Sequence, residues 1–146
     1  MPEEVQKPEP QLSPGQFLAT FSPDAPDNAA LVSFKEQVPG GRIKIQQLPD
    51  LKRVYVMRGL SGDELSKIEQ MIPGINNLPP EKAQQALQYA IASRCTLWTN
   101  RTPDRKETEA SLRAAGSGLA QTLNVTINDL SDYHSPDILQ QLSIEI

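Results

Sequence analysis

His134 is the single histidine of the 146-residue chain and stands in Asp132-Tyr133-His134-Ser135, so a Ser/His/Asp group can be spelled there. Acyl-transfer chemistry needs the hydroxyl, imidazole and carboxylate at hydrogen-bonding geometry, which adjacency in sequence does not provide. A loop or helix-cap role is the expectation for this tetrapeptide. Zinc needs three or four nitrogen and sulfur ligands, and one His with one Cys cannot supply them. Cys95 lies on the apolar stripe of a helical segment, beside Arg94. A reactive thiolate requires a cationic, partly exposed setting, so a buried core thiol is expected instead.

Two acidic pairs, Asp63/Glu64 and Glu107/Glu109, invite general acid–base chemistry. Capping a helix explains the first pair, and a solvated face on a charged segment explains the second. Pro39-Gly40-Gly41 and Gly116-Ser117-Gly118 lack the spacing and the lysine of a phosphate loop. The expectation is therefore no catalytic residue, no metal ligand and no cofactor, and a protein that is not an enzyme.

Protein binding is the remaining kind of site. Tyr55, Met57 and Arg58 fall on or beside one face of a predicted strand. An exposed aromatic, thioether and guanidinium would form a docking strip, and edge strands can pair with another chain. The alternative is that another part of the chain covers the strip. Phe17 and Phe21, one helical turn apart, are candidates for a partner-binding arm, the alternative being a leader that docks on the chain's own body. Trp98 is expected in the core.

The elements that must position these residues follow from periodicity and breakers. Ser13-Pro14 reads as an N-cap with proline at the first helical position. Asp27 caps a second short helix over Asn28–Val38, ended by Pro39-Gly40-Gly41. In Arg42–Leu48, Ile43 and Ile45 point one way and Lys44 and Gln46 the other. Pro49-Asp50 is a turn signal. In Arg53–Arg58, Val54 and Val56 share one face, with Tyr55 and Met57 opposite.

Ser61-Gly62-Asp63-Glu64 then fits a capping box, making Ser61 and Glu64 structural cap residues. Leu65, Ile68 and Ile72 form the apolar stripe of the helix they open, and Pro73-Gly74 stops it. Pro80 opens the longest predicted helix, Glu81–Trp98. Asp104–Ala115 is a charged, exposed helix, and Asn124–Ile127 reads equally as strand or helix. Ser135-Pro136 starts a last helix through Leu142.

Composition divides the chain unevenly. The first forty positions hold seven of the thirteen prolines, six acidic and two basic residues, while the remainder has twelve of each sign. The net charge of −4 is thus a property of the leader. An acidic leader and a balanced body argue against binding a phosphate backbone, which needs clustered Lys and Arg. The chain shows no secretory signal pattern and no apolar run of about 18–20 residues that would span a membrane. One cysteine allows no intrachain disulfide. The reading is a soluble intracellular protein of α+β class. A β-hairpin packs on a mainly helical body over 41–146, preceded by an extended Pro-rich leader with short helical pieces over 1–40.

As a unit, Ile43–Glu64 resembles the tail assembly chaperones of long-tailed bacteriophages. The similarity is carried by Leu48-Pro49-Asp50-Leu51, Val54-Tyr55-Val56-Met57-Arg58 and Leu60-Ser61-Gly62-Asp63-Glu64. The helical stretch Ala90–Leu97, with its Arg94-Cys95 pair, is also similar to the next helix of that family. The resemblance extends over roughly Gly41–Trp98 and not into Thr99–Ala115.

It implies a non-enzymatic chaperone of the host cytoplasm that binds tape-measure and tail proteins during virion assembly, with homo-oligomer formation open. The alternative is a structural virion component, a connector, cement or baseplate subunit, whose N-terminal arm wraps neighbouring subunits. Either way the partners are proteins, not nucleic acid or membrane.

Overall fold

The computed structural model describes residues 12–131 and 142–146. Among them are six α-helices and a four-stranded sheet, so the α+β class stands. Ser13 opens α1 (Pro14–Ala19): its Oγ accepts from the Gln16 amide, and the Gln16 side chain accepts from the Ser13 amide. Asp27 caps α2 (Asn28–Gln37) through its carboxylate.

Strands β1 (Ile43–Gln47) and β2 (Val54–Arg58) form the expected antiparallel hairpin, with Ile45 opposite Val56. Asp50 builds the turn. Its Oδ1 accepts from the amides of Lys52 and Arg53 at 2.9 and 3.1 Å, while Leu51 takes a left-handed φ of 61°.

Helix α3 (Gly62–Met71) follows, and then α4 (Pro80–Cys95). The helix expected through Trp98 ends three residues early, and Thr96–Thr99 form β3 on the edge beside β2. β-branched and aromatic side chains favour a pleated, half-buried edge over another helical turn. The exposed helix expected from Asp104 begins only at α5 (Glu109–Ala115), where Thr108 and Ser111 make a capping box. Asn124–Ile127 is helical, inside α6 (Ser117–Leu130). Of the last expected helix, 135–141 lie outside the described residues. Leu142 precedes a strand not foreseen, β4 (Ser143–Glu145), antiparallel to β1.

The strand order is β3-β2-β1-β4. Both faces of this sheet are covered. On one, Leu18 and Leu31 from α1 and α2 are buried with Ile43, Ile45, Val54, Val56 and Trp98, and Phe17, Phe21 and Phe34 pack around them. On the other, Tyr55 and Met57 are buried with Ile68 of α3, Ala92 and Cys95 of α4, Leu112 of α5 and Leu123 of α6. Beyond residue 11, the leader is thus a helical layer over the sheet.

Candidate functional site

The strip expected of Tyr55, Met57 and Arg58 is not a surface. Tyr55 and Met57 each have 0% exposure because helices α3 to α6 cover that face of β2. Alternation distinguishes the two faces of a strand but says nothing about how many are covered. Arg58, at the end of β2, turns to Glu64. Its Nη1 and Nη2 donate to Oε1 and Oε2 at 2.9 Å each. This fork on a carboxylate is a strong pairing geometry.

Glu64 therefore has two tasks. Its Oε1 also accepts from the Ser61 amide at 3.3 Å, and the Ser61 Oγ accepts from the Glu64 amide at 3.2 Å. The expected capping box is present, with an ion pair to the preceding strand built onto it. The hydrogen bonds from Arg58 are the main cause holding the Glu64 carboxyl below the ordinary glutamate value. Between strand and helix, Gly59 passes so close to the end of α6 that a Cβ there would lie 2.9 Å from the Leu130 carbonyl. The Leu60 amide donates to the Ser131 Oγ at 2.8 Å.

Glu107, expected on a solvated face, has a side chain with no exposure at all. The Tyr55 hydroxyl donates to Oε2 at 2.7 Å, and the Ser111 hydroxyl to Oε1 at 2.7 Å. Arg101 adds Nε to Oε2 at 2.5 Å and Nη2 to Oε1 at 2.7 Å. Burial alone pushes this carboxyl up. The hydrogen bonds from Arg101, Ser111 and Tyr55 outweigh burial and leave it below the ordinary value. Burial, followed by the hydrogen bond to Glu107 and then its charge, raises the Tyr55 phenol. The result is an ionised carboxylate, a charged guanidinium and a neutral phenol, mutually satisfied.

That arrangement ties β2 to the loop before α5. Sequence spacing gave no sign of it: Tyr55 and Glu107 are 52 residues apart.

Cys95 lies in the helical core at 0% exposure, as its place on the stripe predicts, and burial pushes its thiol up to about 12. Phe17 and Phe21 do not form a free arm. They stack edge to face with centroids 5.1 Å apart and are half-buried against the sheet. Their spacing marks an apolar face correctly, but that face meets the chain's own β1 and β2. Trp98 is buried in the same cluster. Asp132, His134 and Ser135 lie outside the described residues. Among the described residues, no group of three or more His, Cys, Asp or Glu could hold a metal ion, and no helix is long and apolar enough to cross a membrane.

The apolar groups that do reach solvent were not singled out by spacing. Met71, at the end of α3, is 64% exposed. A cleft of about 100 Å³ beside it is lined by Ile68, Met71, Ile72, Ala90, Ser93, Arg94 and Glu109. Arg94 reaches the Met71 sulfur at 3.4 Å. The available signal in sequence was an apolar residue in the last turn of the capped helix, just before Pro73-Gly74 stops it. Comparison with models of protein families, with characterised proteins and with solved structures finds no match to this chain.

Proposed function

We propose that this protein is a non-enzymatic tail assembly chaperone, binding tape-measure and tail proteins while a virion is built. The resemblance of Gly41–Trp98 to that family supports the reading. The structural observation that carries it is the surface at the end of α3. There Met71 is 64% exposed above a small cleft walled by Ile68, Ile72 and Ala90, within the resembling stretch. A polarizable, unbranched thioether adapts to apolar partners of varied shape, as a chaperone surface must. A cationic Arg94 at its rim adds a polar contact.

The alternative, a virion subunit whose arm wraps its neighbours, draws less support. Phe17, Leu18, Leu31 and Phe34 of α1 and α2 pack on the chain's own sheet. Co-expression with a tape-measure protein is expected to raise the soluble yield of that protein, and Met71→Glu to lower the gain. Failure to co-purify under any condition overturns the proposal. Presence in mature particles at fixed copy number would favour the alternative, because an assembly chaperone is left behind.

A further inference from the structure

Helices α1 and α2 form a unit with its own internal ties. The Gly15 amide donates to the Asn28 Oδ1 at 2.8 Å, and the Asn28 Nδ2 donates to the Ser13 Oγ at 3.1 Å. A Cβ at Gly15 would lie 2.7 Å from the Asn28 nitrogen, so the two helices meet without a side chain between them.

This unit joins the sheet through Gly40 and Gly41, both at positive φ, 77° and 66°. Beneath it lies an apolar sheet face, Ile43, Ile45, Val54, Val56 and Trp98, each at most 6% exposed. A polar tie crosses between unit and body. Arg105 donates from Nε to Asp24 Oδ2 at 2.7 Å and from Nη2 to Asp24 Oδ1 at 3.0 Å and Ser22 Oγ at 3.3 Å. The same guanidinium lies 6.0 Å from the Trp98 ring. Arg105 itself holds a left-handed φ of 66°, a costly conformation for a residue with a side chain.

We infer that α1 and α2 are a displaceable cover, hinged at Gly40–Gly41 and latched by Arg105, over a second client-binding face on the sheet. Among the described residues the cover lies wholly before the hinge, and no strand precedes it. The tie is part-exposed, with Arg105 at 34% and Asp24 at 52%, and such ion pairs are weak.

What the face accepts is written in what covers it. The occupant presents Leu and Phe at helical spacing, as Phe17, Leu18 and Phe21 do, and a carboxylate opposite Arg105, as Asp24 does. The client element is therefore an acidic amphipathic helix of another protein. This inference rests on the chaperone reading for its biological client, though not for its test.

Hydrogen exchange on the full chain reads the cover directly. Leu31→Ala removes a buried anchor of α2 that has 1% exposure. It should speed exchange in α1 and α2 about a hundredfold while α4 and α6 change little. Arg105→Gln, which removes the charge of the latch, should speed α1 and α2 on the order of threefold. Uniform loss of protection across all helices in Leu31→Ala, or unchanged α1 and α2 in both variants, overturns the cover.

A fluorescein-labelled peptide of residues 13–38 probes the face itself. It should bind Leu31→Ala more tightly than the unaltered chain. Absence of binding once the cover has opened, or dimerisation of the variant by exchange of the unit between copies, overturns the client face. No tape-measure protein enters these measurements, so they succeed or fail independently of the co-expression test.

Discussion

Glu107 is surrounded in sequence by Lys106, Thr108 and Glu109, yet its carboxylate is enclosed and accepts hydrogen bonds from three side chains. Enclosing an ion is costly unless its lone pairs are satisfied. Here Tyr55, Arg101 and Ser111 satisfy them, so the group specifies where the 99–108 loop must lie. Glu107→Gln keeps the size and removes the charge that Arg101 and Tyr55 complement. It should lower stability in urea unfolding by about 1–3 kcal/mol, and Tyr55→Phe by about 1 kcal/mol. Because the two share one network, their double mutant should cost less than the sum. Strict additivity would mean that the hydroxyl and the carboxylate act independently. A cluster of this kind is invisible to local reading because its members come from β2, a loop and α5, and only the tertiary fold unites them.

At the scale of elements, α3 is the best-specified piece. Ser61→Ala should cost about 1 kcal/mol through the lost cap. Gly59→Ala should cost about 1–3 kcal/mol, because a methyl group would be forced against the Leu130 carbonyl. Thermal unfolding compares the two, and an equal or smaller loss for Gly59→Ala would deny the close approach. The capped helices and the hairpin were legible in sequence because their determinants sit within a few residues: Ser13 with Gln16, Asp27 with Ala30, Ser61 with Glu64, and Asp50 in its turn.

The rest was not legible, for a physical reason in each case. β3 is four residues fused to a helix, and β4 is three residues paired with β1 across a long separation. Neither has enough length to show period two. The outward strip drawn through Tyr55, Met57 and Arg58 failed because α3 to α6 cover that face, while α1 with α2 covers the opposite one. Strands buried on both sides look in sequence like strands with one docking face.

For the molecule as a whole, several carboxylates are held below their ordinary values by hydrogen-bond and ion-pair partners. They are Glu64, Glu107, Asp24 and Asp50. A carboxyl whose folded pKa is depressed adds stability above its unfolded pKa and loses it as pH falls through the folded value. Stability should therefore be nearly level above about pH 5 and decline progressively below it. The decline should be shallower in Glu107→Gln. Thermal melts across pH 3 to 7, an acid range of about four units, check the slope, and an unchanged slope in the variant would remove Glu107 from the set.

Cys95 gives this architecture an internal clock. It is the one sulfhydryl of the chain, fully enclosed beneath the helices on the sheet face opposite α1 and α2. A thiol reagent consequently has a single target, silent while that helical layer is closed. Swinging the N-terminal pair away leaves the sulfur hidden, whereas melting of the body uncovers it. Labelling kinetics thus separate partial from complete opening with the protein's own chemistry, and no engineered probe is required.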